Sequence, residues 1–249
     1  MKSTRRAPRR KQTRRRRGGK KLGEGKSAVV IHPAISCVGK DTSGYVSKVF
    51  KTKEEFDKAR TNPVYAKLKE IDPDQTQFLY PDVCERFGEL TPENIEDGVT
   101  EENKAWSYLV KKGGDVTLYD SLQKTQKYTT KETVKFMLEH LRQLFESVKH
   151  LHANNILHDD LHTKNILVTS DGTFQIIDFD RSFLLTDKDK VAEYFKDWRV
   201  VPRSEEAKIN ECKDNEMQGF IEEVGVLLQK KRFDIAYAIE TMYEQLGLD

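Results

Sequence analysis

His158-Asp159-Asp160-Leu161-His162-Thr163-Lys164-Asn165-Ile166-Leu167-Val168, with its sequel Ile176-Ile177-Asp178-Phe179-Asp180, decides how the rest of the chain is read. Each piece is a short apolar run with a polar residue beside it. Ile166 to Val168 read as a buried strand, Ser170-Asp171-Gly172 as a tight turn, and Phe174 to Ile177 as the returning strand of a hairpin. Asp160 and Asn165 fall on the loop entering the first strand, and Asp178 at the exit of the second. The hairpin therefore brings two carboxylates and a carboxamide to one edge. Hard cations take oxygen ligands, and Mg²⁺ shares its shell with substrate phosphates, so this edge suits Mg²⁺ and phosphate chemistry. The bland alternative is a structural hairpin with solvated acids; the agreement of spacing with strand context weighs against it.

The order His-x-Asp, an Asn five residues after that Asp, and an Asp-Phe pair eighteen after it resembles the catalytic loop and metal-binding triplet of the protein-kinase superfamily. The resemblance implies an α+β, bilobal fold with a small β-rich N-lobe and a mainly helical, shortened C-lobe. It implies ATP and Mg²⁺ as cofactors, Asp160 as the catalytic base toward an acceptor hydroxyl, and Asn165 and Asp178 as metal ligands. It divides the chain into a basic tail (1–21), an N-lobe (22–112) and a C-lobe (113–249).

The N-lobe opens at Leu22-Gly23-Glu24-Gly25-Lys26-Ser27-Ala28-Val29-Val30. A Walker P-loop fails here, because Lys20 stands where its first glycine belongs and a polybasic tail precedes it instead of a strand. The kinase pattern Gly-x-Gly-x-x-Gly-x-Val fits better, through Gly23, Gly25 and Val30, with Ala28 in the third glycine's place. Such glycines let backbone lie close over phosphates. Tyr45 to Phe50 is β-like with one lysine inside; the resemblance makes Lys48 the residue that contacts the ATP phosphates. Thr52 caps a following helix. Glu55 lies at the edge of its buried stripe and is taken as the acid pairing with Lys48, with Glu54 as the alternative. Thr91 to Asn103 reads as an acidic surface loop and Trp106 to Val110 as a strand. The backbone from Val110 to Lys112 is expected to hold adenine, ahead of a Gly113-Gly114 stop. Residues 22–60 also resemble kinase-like proteins of large DNA viruses, through Ile31-His32-Pro33-Ala34-Ile35 and Val46-Ser47-Lys48.

In the second lobe Thr129 and Glu132 form a capping box. Val134, Leu138, Leu141, Phe145 and Val148 then step by four and three along one long helix ending near His152. His150, His152, His158 and His162 invite a zinc reading, but no cysteine joins them; His158 reads better as a core histidine steadying the loop. Several positions depart from the kinase pattern. Asp159 replaces an arginine that commonly meets a phosphorylated activation segment, His162 replaces a lysine near the γ-phosphate, and Asp180 replaces the last glycine of Asp-Phe-Gly. Asp214 and Gly219 keep the spacing of a buried acid and glycine in a later helix. Two helices, Phe220 to Leu228 and Ile235 to Leu246, are expected near the C-terminus.

Composition adds an asymmetry. The net charge is only +2, yet residues 1–21 hold twelve Lys or Arg and no acid. Removing those from 43 basic residues leaves 31 against 41 acids, so residues 22–249 carry ten net negative charges. A tail of that density is expected to be disordered, and it reads equally as a nucleic-acid or nuclear-import segment and as a solubilising one. No apolar run approaches a membrane span, and no apolar core follows the basic start as in a secretory signal. Three widely spaced cysteines, Cys37, Cys84 and Cys212, are read as reduced thiols of an intracellular protein, cytoplasmic or nuclear, or in virion or host cell if viral. The reading that results is a compact, atypical kinase acting on protein serine or threonine. Its rivals are a sugar or small-molecule kinase, favoured by His162 and Ile177-Asp178-Phe179-Asp180, and an inactive nucleotide- or nucleic-acid-binding pseudokinase.

Overall fold

The computed structural model describes residues 20–114, 116–124, 131–199 and 201–229. Strands β1 (Lys20–Glu24), β2 (Ala28–His32) and β3 (Tyr45–Phe50) lead into helices α1 (Lys53–Arg60) and α2 (Val64–Ile71). Strand β4 (Pro81–Asp82), the short helices α3 (Pro92–Glu96) and α4 (Glu101–Lys104), and strand β5 (Ser107–Lys111) complete an antiparallel sheet in the order β1-β2-β3-β5-β4. The register sets Val30 opposite Lys48 and Lys48 opposite Tyr108, so these three share one face; Val29, Val49 and Ser107 share the other. Both faces are apolar because both are covered. Ala28, Phe50 and Tyr108 pack with Ala59, Phe56 and Trp106 on one side. Ile31 and Val49 pack with Ile35, Val99, Phe87 and Leu90 on the other.

Three details differ from the sequence reading. First, β1 starts at Lys20, inside the stretch read as tail. Second, Thr91 to Asn103 is no plain loop. Thr91 and Thr100 each cap a short helix, and Asn94 and Asn103 supply the reciprocal side chain of a capping box usually closed by Glu or Gln. Third, Cys37 and Cys84 are bonded to each other, with Cα atoms 5.9 Å apart. A separation of 47 residues conceals this contact, because the segment after β4 returns alongside the β2–β3 connection, where Val38 N donates to Arg86 O. Cys212 is free and buried.

Beyond β5, strand β6 (Val116–Thr117) and helix α5 (Leu118–Lys124) precede the long α6 (Lys131–Ala153). Then come β7 (Ile156–Leu157), the hairpin β8 (Ile166–Val168) and β9 (Phe174–Ile176), β10 (Phe183–Leu184), α7 (Lys188–Tyr194) and α8 (Glu205–Gln229). Thr129 and the Ile235–Leu246 stripe lie outside the described residues. The second half of the α6 face is as read, with Leu141, Phe145 and Val148 buried in one cluster with Phe220, Ile221 and Val224 of α8 and Ile166 and Ile176 of the hairpin, while the side chains of Val134 and Leu138 lie outside the described ones. Helix α8 begins at Glu205 rather than Phe220, because its charged first half hides the apolar period. The bilobal α+β architecture is thus the one expected. The core cluster of α6 and α8 reaches into the first half, since Leu68 of α2 and Phe78 join it.

The hinge glycines serve close approach rather than flexibility. A Cβ on Gly113 would sit 2.5 Å from Leu79, and one on Gly114 only 2.1 Å from the Val168 carbonyl oxygen. Below them Asp72 accepts from the backbone N–H groups of Thr76, Gln77 and Phe78 at 3.0, 2.8 and 2.8 Å. That places residues 77–79 on the edge of the hairpin, where Ile176 N donates to Gln77 O and Leu79 N to Ile176 O. Among the described residues no helix is long and apolar enough to cross a membrane.

Candidate active site

The hairpin register sets Ile166 opposite Ile176, and Ile177 N donates to Asn165 O at 2.9 Å, so Asn165 lies beside the start of the Asp178 turn. Asn165 Nδ2 donates to Asp160 O at 3.0 Å and to Asp160 Oδ2 at 3.3 Å. The amide nitrogen is thereby spent, which leaves Oδ1 as the atom able to ligate a cation. His158 is fully buried; its Nε2 donates to Ile177 O at 2.9 Å and its ring lies 4.7 Å from that of Phe179. It ties the Asp160 loop to the Asp178 turn. Asp159 and Asp178 both take left-handed backbone, with φ of 57° and 67°. Such conformations are costly for non-glycine residues and gather where function demands a special geometry.

From the other lobe β3 delivers Lys48, whose Nζ reaches Asp178 Oδ1 and Asp180 Oδ2, each at 2.6 Å. Burial disfavours the ammonium charge, but the carboxylates of Asp180 and Asp178 outweigh it and raise the lysine's pKa. Burial likewise pushes the Asp178 carboxyl up, and Lys48 overrides that and holds it below its ordinary value. The structure does not join Glu55 to Lys48. Glu55 lies in the first turn of α1, where its N–H is capped by Thr52 Oγ1 and its carboxylate accepts from the same hydroxyl at 3.1 Å. A residue locked at the helix start cannot reach across the sheet face, and Glu54 beside it is exposed. The acid beside Lys48 that the sequence reading sought on α1 comes from the turn after β9, as Asp180.

The remaining expected positions fall around this centre. Gly23 lies in β1 opposite Val30, and Gly25 opens the β-hairpin turn, its N–H donating to Ala28 O at 2.9 Å. Val30 lies in the row of Lys48, and Val110 opposite Val46 on the same face. Lys112 N already donates to Gly44 O at 2.8 Å, so this N–H is not an adenine donor. A separate pit of about 290 Å³ lies by Val49, Asp97 and Asn103 and shares no residue with this site.

Other residues of the site were not picked out from the sequence. Glu216 and Glu223, seven apart on α8, hold the loop from below. Glu216 accepts from Asp159 N at 2.6 Å and pairs with His152 Nε2 at 2.8 Å. Glu223 accepts from Thr163 N at 2.9 Å and from Thr163 Oγ1 at 2.8 Å. The acid noticed nearby, Asp214, is not the one in contact. Arg181 spans Asp159 and Asp160 at 3.3 Å each, a cation from the turn after Asp178 meeting the acid that stands where the kinase pattern commonly has an arginine. Burial raises the Asp159 pKa, with Arg181 opposing. Two acids a helical heptad apart in a chain already matching a catalytic loop were the available signal.

The donor set fits a hard divalent cation. Asp178 is 41% exposed and supplies carboxylate oxygens, and Asn165 supplies an amide oxygen. Two protein ligands leave places for phosphate oxygens and water, as Mg²⁺ prefers.

A family model for the protein kinase domain matches residues 17–203, and the chain belongs to that family. Among curated relatives, it is 46% identical over 54 residues to a probable cell division protein kinase of Encephalitozoon cuniculi, covering 22% of this chain and 20% of that one. It is 50% identical over 40 residues to serine/threonine-protein kinase bur1 of Neurospora crassa, covering 16% and 7%. It is 48% identical over 48 residues to cyclin-dependent kinase 4 of Mus musculus, covering 19% and 15%. These matches span a fifth or less of each relative's length.

Proposed function

We propose that the chain is an ATP- and Mg²⁺-dependent protein kinase of compact, atypical type that phosphorylates serine or threonine. One observation carries this reading: Lys48 of the sheet meets Asp178 at 2.6 Å, while Asn165 beside it is hydrogen-bonded to Asp160. A phosphate-binding cation, two metal-ligating oxygens and a general base then surround one place. Mg²⁺·ATP supplies the transferable phosphoryl group and neutralises its charge.

The chain's own residues do the rest. Asn165 and Asp178 would hold the metal, and Lys48 would face the phosphates. Asp160, fixed by Asn165, takes the proton of the acceptor hydroxyl as the new O–P bond forms and the bond from the γ-phosphorus to its bridging oxygen breaks. Catalysis is then positioning plus charge stabilisation. Protein serine or threonine as acceptor is supported by the names of the matched relatives. His162, whose Nε2 lies 3.9 Å from Asp160 Oδ2, and the run Ile177-Asp178-Phe179-Asp180 are the features that favour a small-molecule acceptor instead. Residues 1–19 of the basic tail lie outside the described residues, and the tail is proposed equally as a nucleic-acid or nuclear-import segment and as a solubilising one.

The test is incubation of the purified chain with γ-labelled ATP and Mg²⁺, offering casein and histone beside a panel of sugars and other small hydroxyl compounds. Phosphoserine or phosphothreonine on protein is the expected product. Label confined to small molecules would replace the acceptor class, and no transfer to either would sink the reading.

A further inference from the structure

We infer that Asp180, braced by Tyr65, is the positioning residue that keeps Lys48 aimed at the phosphates once the metal has claimed Asp178. The inference rests on the kinase reading above and adds to it a role for the carboxylate that replaces glycine after Asp178-Phe179.

In the structure Lys48 is shared between two carboxylates at the same distance, 2.6 Å. They are not equivalent. The Asp178 side chain is 41% exposed, whereas those of Asp180 and Lys48 are 20% and 13% exposed. A divalent cation on Asp178 would repel the ammonium group that shares its oxygens, so that ion pair weakens as the site fills. Asp180 is the partner that stays. Its Oδ2 holds Lys48, and its Oδ1 accepts from the Tyr65 hydroxyl at 2.6 Å, so both oxygens are fixed before any ligand arrives.

Tyr65 is itself anchored. It lies in the first turn of α2, with its ring 6.5 Å from that of Tyr108, the residue opposite Lys48 in the sheet. Just before α2, Asn62 Nδ2 donates to Phe179 O at 3.2 Å and Ser182 O at 2.9 Å, bracketing Asp180, while its Oδ1 accepts from Val64 N at 3.0 Å. The corner between α1 and α2 is thus strapped to the metal turn on both sides of the carboxylate. The electrostatics agree. Lys48 with two carboxylates carries one net negative charge, which a divalent cation turns into one net positive charge facing the polyphosphate.

This arrangement predicts a defect that appears only with the metal. In Asp180→Asn, Lys48 retains Asp178 when no metal is present, so binding of a fluorescent ATP analogue without Mg²⁺ stays within about twofold of wild type. With Mg²⁺ both partners are lost, and affinity for the analogue falls about tenfold, with a matching fall in phosphoryl transfer. Tyr65→Phe shows the same pattern at smaller size, and no further effect in the Asp180→Asn background. Melting temperatures check that each variant folds, and Tyr65→Phe stands alone if Asp180→Asn does not. Equal losses with and without Mg²⁺, full Mg²⁺·ATP affinity in the variants, or additive effects of the two substitutions would overturn the role of Asp180. Absence of any nucleotide binding by the wild-type chain would instead overturn the kinase reading, and this role with it.

Discussion

The contact of Glu223 with Thr163 yields a prediction whose size can be worked out. Thr163 is fully buried between Asp160 and Asn165, and both its N–H and its hydroxyl donate to the Glu223 carboxylate, at 2.9 and 2.8 Å. Hydrogen bonds to a charged acceptor contribute about 1.5–3 kcal/mol each, and water cannot replace the acceptor where the donors are enclosed. Glu223→Ala orphans both donors; setting the recovered hydration of the carboxylate against this leaves a net cost of about 3 kcal/mol. Glu223→Gln keeps one acceptor oxygen and should cost about 1.5 kcal/mol, and Thr163→Ala about the same. Urea unfolding reads these as midpoint shifts, of about 1–1.5 M for Glu223→Ala at a slope of about 2–3 kcal/mol/M. Once Glu223 is gone, Thr163→Ala should cost less than about 0.5 kcal/mol more, because its partner is already missing. Phosphoryl transfer by Glu223→Gln should lose kcat while KM for ATP changes little, since the loop carrying Asp160 shifts and the sheet does not. A midpoint shift below about 0.3 M for Glu223→Ala, or additive costs in the double variant, would refute the reasoning.

Three further outcomes follow from the same geometry. Gly114→Ala puts a Cβ 2.1 Å from the Val168 carbonyl oxygen, so the backbone must shift and stability should fall by about 2 kcal/mol, read by thermal melting. Asp72 is held below its ordinary value of 3.8 because backbone N–H groups outweigh the effect of burial. Its contribution is therefore present above that value and lost as pH falls through the lower folded value; Asp72→Asn should flatten the acid limb of a stability-against-pH curve. Arg181→Ala should change the urea unfolding free energy by less than about 1 kcal/mol, because the guanidinium is 63% exposed and surface ion pairs contribute little.

What could be read in advance, and what could not, has physical causes. The hairpin was legible because two short apolar runs meet around Asp171-Gly172, where Gly172 takes the positive φ of 86° that the turn requires. His158 was legible as a loop-steadying core residue, and its ring nitrogen does donate to Ile177 O. The partner of Lys48 was not. Glu55 has the right charge and place along the chain, but Thr52 engages it at the helix start, and nothing in local pattern reports a carboxylate 132 residues from Lys48. Glu216 and Glu223 look like solvated acids of a charged helix, because periodicity marks apolar faces and is silent about acids turned inward. The Cys37–Cys84 bond escaped for a related reason: three cysteines without a short-range pair show nothing of the strand order that brings two together.

The central claim is that Asp160 is the base of a phosphoryl transfer prepared by Lys48, Asn165 and Asp178. Single-turnover transfer from Mg²⁺·ATP to a protein acceptor, compared between the wild-type chain and Asp160→Asn, tests it most directly. The account predicts that the variant binds Mg²⁺·ATP as the wild type does yet transfers phosphate at least about a hundredfold more slowly. Equal transfer rates in the two proteins would contradict it.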